Sequence, residues 1–239
     1  MCYKYATPTL DELLAHLQDA PAYTIQDYYQ YYVADAFLHP MMPVTTKEQP
    51  TMVKAAQWGL IPSWAKTVEQ AKDIASKTLN AVSETIYEKP SFKNYINSQR
   101  CLVWANGFYE WQWKDEKGKN KTPYFIYMPK HEPFSFGGIY SEWTHPETGE
   151  VFTTFSIITT EANELMSQIH NIKKRMPLII QPQDREKWLS DITEVEIKEL
   201  MQPLPDGILQ AHTISKLITA RGIDNNVPAV QVEHKDELF

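Results

Sequence analysis

The middle of the chain, residues 100–160, constrains the fold most, because it holds four consecutive segments rich in β-branched and aromatic residues. These segments read RCLVWANGFYEWQW, TPYFIYM, FSFGGIYSEW and VFTTFSIITT, and turn residues separate them. Residues of these types favour strands, and short polar connections favour pairing between neighbours. Four more segments also read as strands, namely AFLHPMMPVTT, TMVKAAQWGL, RMPLIIQ and GILQAHTIS. The sequence therefore predicts a mostly antiparallel, barrel-like β core.

Helices are expected around this core. Thr9 and Glu12 form a capping box ahead of an apolar stripe, which predicts a helix of about ten residues. Thr193 and Glu196 form a second capping box, which opens a helix over 194–202. Further helices are predicted over 66–78, over 84–97 with Pro90 near a helix start, from a cap at Thr160 through Met166, and over 183–189. The predicted fold is a single α+β domain spanning 1–239, with peripheral helices.

Charge and cysteine content limit the class of protein. The formal net charge of −7 argues against a chain that coats nucleic acid through a broad basic face. A local basic groove stays compatible with it, and Lys173-Lys174-Arg175 and residues 114–121 are the two clusters that could supply one; the second reads first as a solvated hairpin tip. Two cysteines are too few for a disulfide framework, which favours a reducing compartment.

Targeting and cofactor motifs are not found in the sequence. No apolar run is long enough for a signal peptide or a membrane span, and the KDEL near the end is followed by Phe239, so we expect a cytoplasmic protein. The sequence contains no CxxC, HExxH or GxSxG motif and no glycine-rich phosphate loop. We therefore predict no metal site and no cofactor.

The first two residues offer unusual chemistry. If Met1 is removed, Cys2 carries a free α-amine and a thiol on adjacent carbons. The amine can condense with an aldehyde to an imine, and the thiol can then close a five-membered thiazolidine. Both groups titrate close enough to neutral pH, at about 7.7–8.0 and about 8.5, for this chemistry to proceed. Taken alone, a cysteine at position 2 is more simply an accident of sequence.

Other candidate residues are weak signals one by one. Glu110 lies on a predicted strand on the same face as Phe108, so its carboxyl can share an apolar environment that raises its pKa; a strand glutamate that points to water is the simpler reading. His170 is one of seven histidines, and Asn80 reads equally as a helix cap. The tryptophans Trp58, Trp64 and Trp111 fit either a core or a stacking platform for bases.

Several motifs in order carry a more specific signal. They are Met1-Cys2, WGLIPSW (58–64), Asn80-Ala81, KPSF (89–92), RCLVWANGFYEW (100–111), GGIYSEW (137–143), TTEAN (159–163), and His170 followed by RMPLII (175–180). In this combination the chain resembles the SOS response-associated peptidase (SRAP) family. The resemblance runs through most of the chain and implies an α+β domain with a barrel-like core, in agreement with the strand pattern.

The resemblance implies a covalent reaction with DNA. Members of the family crosslink to abasic sites in single-stranded DNA through a thiazolidine made by the N-terminal cysteine. Carried over to this sequence, Cys2 is the nucleophile after removal of Met1, and Asn80 orients the adduct. Glu110 is then the acid–base near the amine, and His170 shuttles a proton to the sugar oxygen.

The resemblance also implies a DNA groove. Its expected residues in this sequence are Lys4, Pro40, Trp64, Trp111, Lys174 and Arg175. The chain departs from the family pattern at Tyr3, Lys4 and Val82, where the family has glycine, arginine and arginine. The segment between His170 and Arg175 is also longer than in many members. We expect Lys173 or Lys174 to replace part of the lost positive charge.

The expected function is thus an enzyme-like, monomeric protein that captures abasic sites in single-stranded DNA without a cofactor and is nucleoid-associated while it acts. Two alternatives stay open at this point. One is a cysteine hydrolase of peptide bonds that uses Cys2, His170 and Glu110. The other is a non-catalytic reader of modified bases, for which Cys2 would be dispensable.

Overall fold

The computed structural model describes residues 2–17, 23–220 and 222–234, and these ranges contain fourteen strands and five α-helices. The strands are β1 (Lys4–Ala6), β2 (Thr24–Gln26), β3 (Ala34–Asp35), β4 (Met41–Thr46), β5 (Gln49–Trp58), β6 (Asn80–Val82), β7 (Arg100–Ala105), β8 (Gly107–Trp113), β9 (Lys121–Tyr127), β10 (Phe134–Thr144), β11 (Val151–Glu161), β12 (Arg175–Pro177), β13 (Ile179–Ile180) and β14 (Gln210–Thr213). The helices are α1 (Leu10–His16), α2 (Val68–Lys77), α3 (Glu164–Ile169), α4 (Arg185–Leu189) and α5 (Glu194–Leu200). The α+β class is confirmed, while the single-domain span 1–239 stays a prediction.

Five strands close into a barrel. Antiparallel pairing runs from β5 through β4, β7 and β10 to β11, and a parallel pairing of β11 with β5 completes the ring at Phe155 and Trp58. Closure satisfies the edge strands, which would otherwise expose unpaired N–H and C=O groups. Alternate residues of these strands form one buried cluster, whose largest members include Trp58, Phe136 and Phe155. The period of two along each strand places these side chains on one face, which is the barrel interior.

The outer face of the barrel is also apolar, and the short helices cover it. Leu102, Trp104 and Ile139 belong to a second buried cluster together with Leu13 of α1 and Trp188 of α4. This is the expected arrangement of helices that pack outside a β core. Within the described residues, no helix has the length and apolar character needed to cross a lipid bilayer.

A second antiparallel sheet brings the start of the chain to the barrel. Its strand order is β14-β9-β8-β1-β3, and Tyr5 of β1 lies opposite Phe108 of β8. Cys2, which precedes β1, and Phe108 are both buried in the cluster that fills the barrel. The pairing of β1 with β8 therefore places Cys2 next to the strand that carries Glu110.

Both predicted capping boxes are confirmed. Thr9 accepts a hydrogen bond from the Glu12 amide while the Glu12 carboxylate accepts one from the Thr9 amide, and Thr193 with Glu196 repeats the pattern. The helix predicted over 66–78 is confirmed as α2, and the one over 183–189 is confirmed as α4 after a 3₁₀ turn.

Two helix predictions were wrong. Residues 84–97 form a 3₁₀ turn over Ser83–Thr85 and then a series of turns, because Pro90 lacks the N–H and its ring blocks a continuous helix. The predicted cap at Thr160 was wrong because the strand continues to Glu161, where β11 pairs with β12. Asn163 caps α3 instead, with its side chain accepting from the Met166 amide.

Candidate functional site

Cys2 is fully buried at the end of the barrel. Its thiol lies 3.7 Å from the Lys4 carbonyl oxygen, to which it donates a weak hydrogen bond. Burial raises the pKa of the thiol well above its ordinary value, and the nearby charge of Glu110 raises it further. Cys2 therefore holds a protonated thiol close to a carboxyl group. Met1 lies outside the described residues.

Asn80 fixes the backbone of Cys2. It begins β6, which pairs in parallel with β11 opposite Ile157, and its Nδ2 donates to the Cys2 carbonyl at 3.0 Å. The Oδ1 of the same amide is buried and accepts no hydrogen bond within the described part of the chain. A buried polar atom of this kind is a candidate contact for a ligand.

Glu110 is buried on β8, and its charge acts on the Cys2 thiol. Loss of hydration on burial raises the pKa of its carboxyl to about 7. At neutral pH the group is therefore divided between acid and base forms. A carboxyl in that state can both deliver and remove protons in one reaction.

His170 ends α3 and lies beside Glu110. Its Nδ1 is 2.9 Å from the Arg175 carbonyl, and since a carbonyl only accepts, Nδ1 carries the proton. The other nitrogen, Nε2, is then the basic one, and it lies 4.0 Å from Oε2 of Glu110. Burial lowers the pKa of His170 to about 4, so the ring is neutral at pH 7.

Of these four residues, Glu110 and His170 line a cavity of about 390 Å³. Its lining residues are Tyr3, Glu110, Trp111, Trp113, Lys121, His170, Lys173 and Thr219. The walls are thus aromatic and basic, while the titratable pair Glu110 and His170 belongs to the same lining. Such a cavity suits a ligand with an anionic backbone and a reactive polar centre.

The sequence of this chain matches the profile of a known protein family. The sequence profile described as SOS response associated peptidase (SRAP) matches residues 1–221. The chain belongs to this family.

Relatives with curated names agree with the family assignment. The Bacillus subtilis (strain 168) protein named "Abasic site processing protein YoqW" is 37% identical over 180 residues, which cover 74% of this chain and 75% of that protein. The Gallus gallus protein named "Abasic site processing protein HMCES" is 35% identical over 193 residues, which cover 72% of this chain and 54% of that protein. A solved structure of a Bacteroides thetaiotaomicron protein superposes with a TM-score of 0.87 at 34% identity, over 98% of this chain and 100% of that one.

Two basic residues expected in the DNA groove of this SRAP protein are engaged in ion pairs. Lys4 pairs with Asp35 on the neighbouring strand β3. Arg175 holds Glu84 with both terminal nitrogens and also donates to the Thr159 carbonyl. A phosphate would have to compete with, or join, these partners.

The remaining expected groove residues lie in different surroundings. Trp111 lines the SRAP cavity, and Trp64 is 42% exposed on the surface. Pro40 is half-buried, and its carbonyl accepts from the Trp58 amide. Lys174 is exposed and is not part of the cavity lining, whereas its neighbour Lys173 is. The roles assigned to these residues stay predictions.

Sequence reasoning did not assign two residues of the cavity, Trp113 and Thr219. It named Tyr3 only as a departure from the family pattern, and Lys121 only as the last residue of the basic cluster 114–121. Trp113 and Lys121 are directly opposite each other on β8 and β9. The alternation of aromatic residues in FYEWQW was the available signal for Trp113. Within the cluster 114–121, only the hairpin register distinguishes Lys121, because it places this residue beside Trp113. Within the described residues, no cluster of metal-binding side chains is found.

Proposed function

We propose that this protein processes abasic sites in single-stranded DNA and that Cys2, freed by removal of Met1, captures the ring-opened sugar as a thiazolidine. The observation that carries the proposal is the position of Cys2, which is buried within reach of the charge of Glu110, a residue that lines a cavity with basic and aromatic walls. Family membership and the names of the curated relatives support the same substrate class.

The reaction balances with the loss of one water. The amine of Cys2 adds to the sugar aldehyde, and the resulting carbinolamine, protonated on its hydroxyl, loses water to give a protonated imine. The sulfur then adds to the imine carbon, and the thiol proton replaces the one that was given to the hydroxyl, while the nitrogen keeps its own. No oxidant or reductant is consumed, so the chain needs only groups that move protons.

Glu110 and His170 supply those proton movements. Glu110, with a pKa of about 7, protonates the departing hydroxyl and then, as carboxylate, accepts the proton of the thiol. His170 takes the proton of the anomeric hydroxyl at Nε2 and passes it to the ring oxygen of the sugar, so that the ring opens to the aldehyde. The buried Oδ1 of Asn80 accepts a hydrogen bond from the adduct and holds it in place.

The geometry disfavours the cysteine hydrolase. That mechanism needs a thiolate generated by an imidazole within hydrogen-bond reach of the sulfur. Here the thiol bonds to the Lys4 carbonyl, burial keeps it protonated, and the imidazole of His170 is directed at Glu110. The amine is therefore the better first nucleophile.

Selectivity follows from what an abasic nucleotide lacks. Without a base, the nucleotide costs less unstacking energy to draw into the cavity than an intact one.

We further propose that the protein acts as a monomer in the cytoplasm, associated with the nucleoid while bound. No metal or cofactor enters the scheme.

The test is a denaturing gel of protein mixed with a single-stranded oligonucleotide that carries one abasic site. The intact protein should give a shifted band that survives denaturation, and Cys2→Ala should give none. Cys101→Ala is the matched control, because Cys101 is the other buried cysteine but lies within the barrel strand β7. A band of equal intensity with Cys2→Ala would reject the thiazolidine and favour a different attachment.

A further inference from the structure

The cavity extends beyond the residues assigned to the reaction. At its outer part, Trp113 and Lys121 form a cross-strand pair on the β8–β9 hairpin, and Lys121 Nζ lies 4.3 Å from the centre of the Trp113 ring. An ammonium over an aromatic face is held by the ring quadrupole. Lys121 is therefore a positioned cation in the cavity wall.

A second lysine reaches the same cavity from another element. Lys173 lies in the loop between α3 and β12, and that loop is fixed to β8 by a reciprocal pair of hydrogen bonds. Asn171 Oδ1 accepts from the Trp113 amide at 3.1 Å, and Asn171 Nδ2 donates to the Trp113 carbonyl at 2.9 Å. The register of this clamp brings Lys173 to the side of the cavity that holds Trp113.

Neither lysine is neutralised by an ion pair with a described carboxylate. Lys4, Lys47 and Lys198, by contrast, each contact an aspartate or a glutamate. The chain as a whole is acidic, with a net charge of −7. The same lining holds one carboxyl, that of Glu110, whose charge interacts with Lys173. Two ammonium groups beside one carboxyl leave a net positive charge in the cavity, which forms a local site for an anion.

We propose that Trp113, Lys121 and Lys173 form a subsite that binds the phosphodiester next to the abasic site. The inference rests on the proposed function, because it takes single-stranded DNA as the occupant. An abasic nucleotide offers no base to grip, so the strand must be held through its neighbours. The two lysines hold the phosphate, and Trp113 keeps the Lys121 ammonium in place.

The chain provides a matched control for the two lysines. Lys119 is exposed on the same hairpin as Lys121 but does not line the cavity. Replacing a lysine and its control by glutamine changes the net charge equally. The long-range effect of losing one positive charge is therefore the same in each variant and its control. Any remaining difference in binding reports direct contact with the phosphate.

The experiment measures non-covalent binding of single-stranded oligonucleotides in a Cys2→Ala background, by fluorescence anisotropy over a range of salt concentrations. Lys121→Gln and Lys173→Gln should each weaken binding several-fold and reduce the slope of log K against log salt by about 0.7, and together by about 1.4. Lys119→Gln should leave the slope unchanged. Lys121→Arg should retain it, which separates lost charge from a disturbed hairpin.

Equal slopes for Lys119→Gln, Lys121→Gln and Lys173→Gln would overturn the subsite. Because the background lacks the Cys2 thiol, this result does not depend on whether a crosslink forms. A normal crosslink in the intact protein combined with equal slopes would reject the subsite alone. Failure of the parent protein to bind any single strand would reject both the subsite and the proposed function.

Discussion

Arg100 and Glu110 lie on consecutive strands, and both side chains are buried, but their surroundings differ. The guanidinium of Arg100 donates to the carbonyls of Ile96, Asn97, Trp188 and Ser190 at 2.5–2.9 Å. It thereby joins the turns before β7 to the end of α4. The carboxyl of Glu110 lies instead beside a thiol and an imidazole, and burial displaces its pKa to about 7.

The comparison separates two uses of a buried ionisable group. A charge whose hydrogen bonds are all made to backbone carbonyls is held in one state and serves packing. A group whose burial displaces its pKa towards neutral can change state during a reaction. Position in the core alone does not distinguish these roles, because Arg100 is the more completely buried of the two.

The largest effect is expected from Arg100→Met. The substitution leaves the four carbonyls without their donor, and we expect it to lower the free energy of unfolding by about 3–5 kcal/mol. Chemical denaturation at neutral pH measures it. A loss below about 1 kcal/mol would show that the carbonyls find other donors, and the distinction from Glu110 would fail.

A smaller effect of opposite sign is expected from Glu110→Gln. The native carboxyl, with its raised pKa, binds more protons than the unfolded chain between pH 4.5 and about 7, so the stability of the protein falls as pH rises through that window. Glu110→Gln has no carboxyl to ionise and so does not lose this stability. Its free energy of unfolding should exceed that of the parent by about 1–3 kcal/mol at pH 8 and equal it near pH 4.5.

The crosslinking rate of Glu110→Gln separates function from stability. It should fall at every pH, although the folded variant is more stable than the parent at pH 8. Denaturation curves at pH 4.5 and 8 test the stability difference. A variant that is less stable at both pH values would mean that the carboxylate, rather than the acid, is the form that the fold favours.

His170→Gln should show the reverse dependence on pH. The pKa of His170 is lowered to about 4, so the unfolded chain binds more protons between pH 4 and 6.5, and native stability is lost as pH falls through that window. The variant should lose the Nδ1 hydrogen bond at all pH values, at a cost of about 1 kcal/mol. As pH falls from 6.5 to 4, the parent loses stability that the variant does not lose. The free energy of unfolding of the variant should therefore rise by about 1–2 kcal/mol relative to that of the parent over this range. A pH-independent difference would contradict the buried neutral imidazole.

Much of the fold could be predicted because its signals are local. The four central segments and both capping boxes depend on neighbouring residues, and the structure has strands or boxes at each. The first segment holds two strands, β7 and β8, which belong to different sheets. The helix over 84–97 was wrong because helical spacing was given more weight than Pro90, whose missing N–H prevents a continuous helix. The cap at Thr160 was wrong because pairing of β11 with β12 extends the strand past the residue that resembled a cap.

The site depended on long-range pairing. Motif order pointed to Cys2, Asn80, Glu110 and His170, but only the pairing of β1 with β8 explains why Cys2 and Glu110 meet. The partners Asp35 and Glu84, which engage Lys4 and Arg175, come from elements that the sequence does not link to these residues. The choice of Lys173 over Lys174 as a cavity residue follows from the Asn171 clamp, which also needs the fold to be seen.

The most direct test of the central claim is the mass of the N-terminal peptide after the crosslinked protein has been digested with trypsin and a nuclease. The account predicts a peptide that begins at Cys2 and carries the sugar fragment with loss of one water, and whose sulfur resists alkylation because it is part of the ring. A modified peptide that retains Met1, or whose Cys2 is still alkylated by iodoacetamide, would contradict it.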